Sequence, residues 1–237
     1  MLKHASRLSL QQQSMLINMF AIGSTAGDAA VISNVNRSTA NLRFRHFREI
    51  IYKATPSIPR FTGDVEIDHA YFGGPQKRNG EKGSHSWSAN KVIVLGIYDR
   101  NLKGGTLYTQ IIPDVKSSTI LPIIRRVVDK SATIHTDSWR GFKQLAKEGY
   151  QCFSVNHSAE VYYDKNTDSH TGHVDAFWGR AKLEYQKRGG VPESTFSLFL
   201  KEQEFIYNHR FLKDKKLQKE EDCFPFVFQK ILKKYSR

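Results

Sequence analysis

The chain has 237 residues, 39% of them hydrophobic and 12% aromatic, so it is long and apolar enough to bury a substantial core. Its net charge of +13 suits a polyanionic partner, although excess charge can also serve solubility. The two cysteines, Cys152 and Cys223, form no CxxC pair, and no run of apolar residues is long enough for a membrane span or a signal peptide, so we expect a soluble intracellular protein without a zinc ribbon or a disulfide framework.

The positive charge is concentrated at both ends of the chain. Residues 1–60 and residues 176–237 each carry an excess of six positive charges, whereas residues 61–175 carry an excess of one. Basic flanks would hold nucleic acid by its phosphates while the acid-containing centre acts on it, since phosphate neutralisation supplies most of the sequence-independent affinity. The charge pattern therefore indicates a nucleic-acid partner.

Residues 1–54 have the pattern of a helix-turn-helix DNA-binding domain. A helix over residues 9–20, a short helix ending near Ile32 and a turn at residues 33–36 precede a longer helix over residues 37–53. One face of this last helix is apolar: Ala40, Phe44, Phe47 and Ile51. The opposite side presents the DNA-binding candidates: Arg37, Ser38, Asn41, Arg45 and Arg48. An ordinary helical bundle is the alternative interpretation.

Residues 55–62 contain two prolines and are predicted to form a linker. The core domain that follows, residues 63–210, begins with a strand in which Val65 and Ile67 alternate with acids. Its further strands are predicted over residues 91–98, 106–112, 132–136 and 151–155. Its helices are predicted over residues 117–130, 140–149, 173–187 and 194–210. The order predicts an α/β fold, a mixed five-stranded sheet with helices on both faces, followed by a basic C-terminal tail over residues 211–237.

Three acids stand at strand ends or on the helix after the last strand. Asp68 lies near the end of the first strand, Asp137 ends the fourth, and Asp175 lies on the helix after the fifth. Lys182 follows Asp175 by two helical turns on the same stripe. Any one acid alone is better explained as a cap or a surface group, but in this strand order all three converge at one edge of the sheet.

Hard oxygen ligands of this kind favour Mg²⁺ or Mn²⁺. Two such ions held by Asp68, Asp137 and Asp175 would activate an attacking hydroxyl and stabilise the leaving oxygen of a phosphodiester. Lys182 would then contact a DNA phosphate.

Several histidines lie close to these acids. His157 follows the end of the fifth strand, where a DNA contact and a polar turn are equally good interpretations. His170 and His173 flank Asp175, and without nearby cysteines a phosphate contact is favoured there over a zinc site.

Four separated segments carry a resemblance to a known family: residues 65–74, 134–142, 154–158 and 170–178. With these segments in this order, the chain resembles the acidic-triad (DDE) transposases of small bacterial insertion sequences, in the Merlin-related, ISXO-like group and its short form without a zinc ribbon. The resemblance covers nearly the whole chain and includes the N-terminal helix-turn-helix and the closing helix that contains residues 205–210.

The resemblance implies a ribonuclease-H-like catalytic domain that cleaves double-stranded DNA at transposon ends and transfers the strand into target DNA. It places Asp68, Asp137 and Asp175 at the catalytic, metal-binding triad and Lys182 at the basic position that follows. Binding of two ends implies a homodimer or a higher oligomer on DNA. The expected location is the cytoplasm, associated with the nucleoid, in a prokaryote, or the nucleus in a eukaryote, and no membrane is expected as a partner.

One position departs from the family pattern. The last triad residue is usually glutamate, whereas here it is Asp175, one methylene shorter by roughly 1.5 Å. This departure motivates an alternative, a catalytically impaired transposase-derived protein that binds DNA and represses. A structure-selective nuclease of the same fold is a third interpretation.

Overall fold

The computed structural model describes residues 8–55, 60–73, 91–101, 105–137, 143–155, 170–209 and 224–235. Its helices and strands follow one another as α1 (Leu10–Ala21), α2 (Ala26–Ile32), α3 (Arg37–Ala54), β1 (Asp64–Phe72), β2 (Val92–Asp99), β3 (Thr106–Ile112), α4 (Ser117–Val127), β4 (Thr133–Asp137), α5 (Lys143–Lys147), β5 (Gln151–Val155), α6 (Gly172–Lys187), α7 (Glu193–Asn208) and α8 (Phe224–Tyr235). The chain forms two compact units. The helical unit comprises Met1–Ser57 and Tyr185–Arg237, and the sheet unit comprises Ile58–Glu184.

Side-chain caps fix where the helices of the helical unit begin. Ser9 forms a capping box with Gln12 at the start of α1, and the side chains of Thr25 and Asn36 accept backbone N–H groups at the starts of α2 and α3. The core of this unit is centred on a cluster of aromatic rings from α1, α3 and α8: Phe20, Phe44, Phe47 and Phe228. These three helices therefore bury their apolar faces against one another.

The C-terminal segment differs from its prediction as a basic tail over residues 211–237. The structure has α8 in this segment, and Phe228 and Leu232 on this helix are buried in the core of the helical unit. The apolar face was not predicted because lysines, such as the exposed Lys233 and Lys234, dominate the composition of the segment.

The helical unit also includes α7. This helix was predicted to belong to the core domain over residues 63–210. Phe205 on α7 lies in the same apolar core as α1 and α3. The helical unit is therefore built from both ends of the chain, which differs from the predicted domain boundaries. Of the predicted linker, residues 56–59 lie outside the described residues, and Phe61 is buried and forms a β-bridge with Val128.

The sheet unit contains a five-stranded sheet with the order β3-β2-β1-β4-β5. The strands β1, β2 and β3 are antiparallel neighbours, whereas β4 is parallel to both β1 and β5. The connection between the antiparallel strands β2 and β3 is short, and α5 lies between the parallel strands β4 and β5. This topology is ribonuclease-H-like, and it confirms the predicted mixed sheet.

The two faces of the sheet are covered by different helices. On one face, Val65 and Ile67 of β1 belong to an apolar core with residues of α4 and Leu145 of α5. On the other face, the N-terminal part of α6 packs over β2, where Val174 and Trp178 lie against Gly96. The prediction of helices on both faces is thus confirmed. Within the described ranges, no helix has the combination of length and hydropathy that a bilayer crossing requires.

Gly96 sets how closely α6 approaches the sheet. A Cβ atom at this position would lie 2.6 Å from Cζ2 of Trp178 and 2.9 Å from a methyl carbon of Val174, both closer than van der Waals contact allows. A side chain at residue 96 would therefore displace α6.

We predict that Gly96→Ala lowers the free energy of unfolding by about 1–3 kcal/mol, because the added methyl group overpacks the contact with Trp178. The matched control is Gly179→Ala on α6, where a Cβ atom meets no atom within 4 Å. This control should leave stability unchanged or raise it by about 1 kcal/mol, because alanine favours the helix. Chemical denaturation measures both, and equal stabilities of the two variants would contradict the close approach.

Candidate active site

The first predicted acid, Asp68, lies within β1 and not at its end. Its partner in β2 is Gly96, and the pairing of β1 with β4 runs only as far as Ile67, which pairs with Thr136. Asp68 is thus the first residue of β1 beyond that parallel pairing. Its side chain is 16% exposed. It lies at the rim of the sheet, where β1 begins to extend past the end of the shorter strand β4.

The strand register brings Asp137 beside Asp68. Asp137 is the last residue of β4 and follows Thr136, just as Asp68 follows Ile67 on the neighbouring parallel strand. Neighbouring strands lie about 4.8 Å apart, so the two backbones are adjacent at this step. Only the backbone of Asp137 belongs to the described part of the structure.

The third acid, Asp175, lies in the first turn of α6 and is exposed. The hydroxyl of Thr171 donates a hydrogen bond to Oδ2 of Asp175 over 2.9 Å, and the backbone N–H of Asp175 donates to the carbonyl of Thr171. Lys182 lies two turns later on the same helix and is also exposed. The negative charge of Asp175 is favourable at the N-terminal end of the helix dipole.

Trp178 joins the helix of the third acid to the first acid. Its indole Nε1–H donates to Oδ2 of Asp68 over 3.0 Å, and its ring packs edge-on against Phe72. Trp178 is buried, at 4% exposure. The hydrogen bond adds an orienting role toward Asp68.

A second carboxylate, Glu66, lies two residues before Asp68 and is completely buried. Its Oε1 accepts a hydrogen bond from Nε of Arg100 over 2.8 Å, and Nδ1 of His173 lies 2.7 Å from the same oxygen. Its Oε2 accepts the backbone N–H groups of His173 and Val174 over 2.9 and 3.1 Å. Glu66 therefore attaches the N-terminal turn of α6 to β1.

These contacts also determine the ionisation of Glu66. Burial alone would raise the pKa of its carboxyl group, but the hydrogen bonds from His173, Arg100 and Val174 outweigh burial and hold the pKa below its usual value. The group is therefore a carboxylate at neutral pH, and its charge is compensated by the guanidinium of Arg100.

Glu66, His170 and His173 form the one group of three potential metal ligands among the described side chains, with ligand atoms within 4.8 Å of one another. Nδ1 of His170 lies 3.4 Å from Oε1 of Glu66, and the ring of His173 stacks on that of Tyr98. The guanidinium of Arg100 shares Oε1 with these histidines, and a cation there would meet its positive charge. The arrangement fits a structural cluster better than a metal centre.

Sequence reasoning did not identify Glu66 and Arg100 as part of the site. The alternation in β1 puts Glu66 on the same face as Asp64 and Asp68, which is the face that an isolated strand would expose to solvent. What buries Glu66 is α6, and the backbone N–H groups that this helix donates to it come from residues 107 and 108 positions later. The one signal in the sequence for this role is that Glu66 is a charged residue between two apolar, strand-forming residues.

Residues predicted to bind DNA fall into two groups. Arg37, Ser38 and Asn41 on α3 are exposed, as expected for a binding surface. Arg45 is exposed but pairs with Glu49 over 3.1 Å on the same helix. Arg48 is 22% exposed, and its Nε donates to the buried Glu202 over 2.7 Å, so it also has a structural partner. His157 lies outside the described residues.

The acids fit a hard divalent cation in donor type. Asp68 and Asp175 present carboxylate oxygens, which Mg²⁺ and Mn²⁺ prefer. The hydrogen bonds described above for these two acids come from an indole N–H and a hydroxyl and not from a guanidinium group, and Nδ1 of His69 lies 3.9 Å from Oδ1 of Asp68. In this respect they differ from Glu66.

Three comparisons relate the chain to known proteins. Residues 60–208 match the model of a family described as the ISXO2-like transposase domain. An uncharacterized transposase-like protein of Haemophilus influenzae is 36% identical over 107 residues, which cover 45% of this chain and 85% of that protein. Among solved structures, the catalytic core domain of BIV integrase aligns at 15% identity with a TM-score of 0.39, over 74% of this chain and 99% of that one.

We predict that Glu66→Gln lowers the free energy of unfolding by about 3–5 kcal/mol, because the neutral amide removes the buried negative charge that pairs with the largely buried guanidinium of Arg100. The matched control is Glu148→Gln, which removes the carboxylate of the surface pair between Arg125 and Glu148. The control should show a much smaller loss. Urea unfolding measures both variants, and similar losses would refute the attachment of α6 through Glu66.

Proposed function

This chain belongs to the ISXO2-like transposase family, and from that membership we propose that it binds the terminal inverted repeats of a mobile element. It then cleaves a DNA strand at the repeat in a metal-dependent reaction and transfers that strand into target DNA. The observation that carries the catalytic part is the strand register, which supports Asp68 and Asp137 as neighbours at the rim of the sheet. The hydrogen bond from Trp178 to Asp68 supports Asp175 as the third acid, because Trp178 and Asp175 both lie on α6 and the bond holds this helix against Asp68.

In this proposal Asp68, Asp137 and Asp175 hold two Mg²⁺ or Mn²⁺ ions. When bound, these ions activate the attacking oxygen and stabilise the leaving oxygen of the phosphodiester. The chain itself supplies the orientation of the ligands: Trp178 holds Asp68, and Thr171 holds Asp175. Lys182, exposed on α6, contacts a DNA phosphate.

The reaction has two steps at the DNA. A water oxygen first attacks the phosphorus at the transposon end, and the bond to the departing 3′-oxygen breaks, which gives a free 3′-hydroxyl. That hydroxyl then attacks a phosphodiester of the target and displaces its 3′-oxygen. Both steps are in-line displacements at phosphorus, for which one set of carboxylates suffices.

We also propose that α1–α3 act as a helix-turn-helix that binds double-stranded DNA. The exposed side chains of Arg37, Ser38 and Asn41 on α3 support this, because a recognition helix presents such donors to base edges and phosphates. Two transposon ends must be held together for transfer, so the active form on DNA is a homodimer or a higher oligomer.

A second candidate function is a transposase-derived repressor that binds DNA without cutting it. The observation that favours it is at Asp175: the side chain is one methylene shorter than glutamate, and Oδ2 already accepts the hydroxyl of Thr171. An acid that is short and engaged locally would reach a bound ion poorly.

We expect the parent protein to nick a duplex that carries the repeats flanking its gene, in Mn²⁺ and not in EDTA. Asp68→Asn and Asp137→Asn should each lower the rate by about 10³-fold or more, because a metal ligand is lost while the side chain keeps its size. Gel assays of end-labelled DNA measure the rates. The matched control is Asp129→Asn, which lies before the first residue of β4 and therefore far from Asp137 at its last residue. This variant should nick the duplex at the rate of the parent. Cutting by folded Asp68→Asn or Asp137→Asn at the parent rate would exclude these residues from catalysis.

Variants at Asp175 separate the two candidate functions. If the chain is an active transposase, Asp175→Asn should weaken Mn²⁺ binding, measured by calorimetry without DNA, and should lower nicking by about 10²-fold or more. If it is a repressor, the parent should bind the repeat without nicking. In that case Asp175→Glu, with roughly 1.5 Å more reach, should gain activity. Unchanged Mn²⁺ affinity in Asp175→Asn would remove Asp175 from the metal site.

A further inference from the structure

The helical unit contains a cleft of about 500 Å³ whose lining comes from both ends of the chain. One wall is α3 and the turn before α2, and the other is the connection from the end of α6 into α7. Five cationic side chains line it: Arg37, Arg45, Arg48, Lys187 and Arg188. The described residues that line the cleft include no acidic side chain.

The α3 wall presents one helical stripe to this cleft. Arg37, Asn41, Arg45 and Arg48 are spaced by four, four and three residues, so they fall on the same side of the helix. The opposite stripe of α3 is buried in the aromatic core of the unit. This packing fixes which side of α3 faces the cleft.

Two of the arginines are held rigidly by one buried acid. Nε of Arg48 donates to Oε2 of Glu202 over 2.7 Å, and Nη2 of Arg188 donates to Oε1 over 3.1 Å. Glu202 is 2% exposed, and the guanidinium of Arg188 lies 5.0 Å from the ring centroid of Phe199. Two guanidinium groups therefore share one carboxylate at the wall of the cleft, in fixed positions that suit a phosphate.

The second wall is attached to the first by Lys187. Its Nζ donates to the backbone carbonyl of Gly23 over 2.8 Å, which joins the end of α6 to the turn after α1. Gly189 and Gly190 then reverse the chain with positive φ angles of 69° and 96°, a conformation that glycine adopts without strain. This turn places Lys187 and Arg188 across the cleft from α3.

We propose that this cleft binds a backbone phosphate of double-stranded DNA, so that the connection from α6 to α7 is part of the DNA-binding surface together with α3. This rests on the proposed function, which assigns DNA contacts to α3 but none to Lys187 or Arg188. The ligand is a phosphodiester group, because the lining offers several cations together with the amide group of Asn41 and no acidic side chain among the described residues. Phosphate contacts position a protein on DNA and carry no sequence information.

The test compares two lysines that differ in their relation to the cleft. Lys187→Gln removes a charge from the lining, and Lys53→Gln removes one from an exposed position on α3 outside it. Fluorescence anisotropy with labelled duplex in EDTA measures binding without cleavage. We expect Lys187→Gln to raise the dissociation constant about five- to tenfold. It should also reduce the slope of the logarithm of the dissociation constant against the logarithm of the salt concentration by about one, because one fewer counterion is released on binding. Lys53→Gln should stay within about twofold of the parent.

A second variant avoids the contact between Lys187 and Gly23. Thr195→Asp changes a lining residue on α7, to which the proposed function assigns no DNA contact, and adds a negative charge to a side chain of similar size, so it should weaken binding at least as much as Lys187→Gln. Both effects should be equal on repeat DNA and on unrelated duplex, because phosphates are common to both.

The outcomes distinguish this proposal from the function on which it rests. A parent protein that binds no duplex at all would overturn the proposed function. A parent that binds, with Lys187→Gln and Thr195→Asp no weaker than Lys53→Gln, would overturn the cleft alone. Weakening confined to repeat DNA would also overturn it, because the cleft would then contact bases and not phosphates.

Discussion

The arrangement of the candidate active site depends on the buried carboxylate of Glu66. Burying a charge is strongly unfavourable unless it is paired and hydrogen-bonded, and Glu66 satisfies this condition with Arg100 and with the first turn of α6. Its position relates two of the acids. Glu66 precedes Asp68 by two residues on β1, and it binds the N–H of Val174, the residue directly before Asp175. One carboxylate thus fixes the strand of the first acid against the helix of the third.

The backbone sets the other positions in the candidate site. The parallel pairing of β1 with β4 sets Asp68 and Asp137 at the same step of the sheet, and it needs no contact between their side chains. Gly96 allows α6 to lie close enough to β2 for Trp178 to reach Asp68. The site is therefore positioned by the register of a sheet, by one glycine and by one buried ion pair. Each of these belongs to the fold, and none is itself one of the three proposed acids.

The sequence predicted the parts of this arrangement that are local. Alternation in β1 and helical spacing in α6 depend on neighbours in the chain, and both elements lie where they were predicted. The burial of Glu66 and the pairing of Arg48 with Glu202 depend on partners 107 and 154 positions away, so no local pattern contains them. The three acids are predicted from strand order and family resemblance together, and their catalytic role stays a prediction. Helix α8 was missed because charge dominated the composition of its segment.

The acids of this molecule differ in the hydrogen-bond donors that they meet. Glu66 and Glu202 are buried and bound by guanidinium groups, so their negative charge is compensated within the fold. The hydrogen bonds described for Asp68 and Asp175 come instead from the indole of Trp178 and the hydroxyl of Thr171, and Nδ1 of His69 lies 3.9 Å from Oδ1 of Asp68. Buried carboxylates that already pair with guanidinium groups are poor ligands for a divalent cation, because the cation would meet the positive charge of those groups. Guanidinium partners therefore identify Glu66 and Glu202 as acids that hold the fold together.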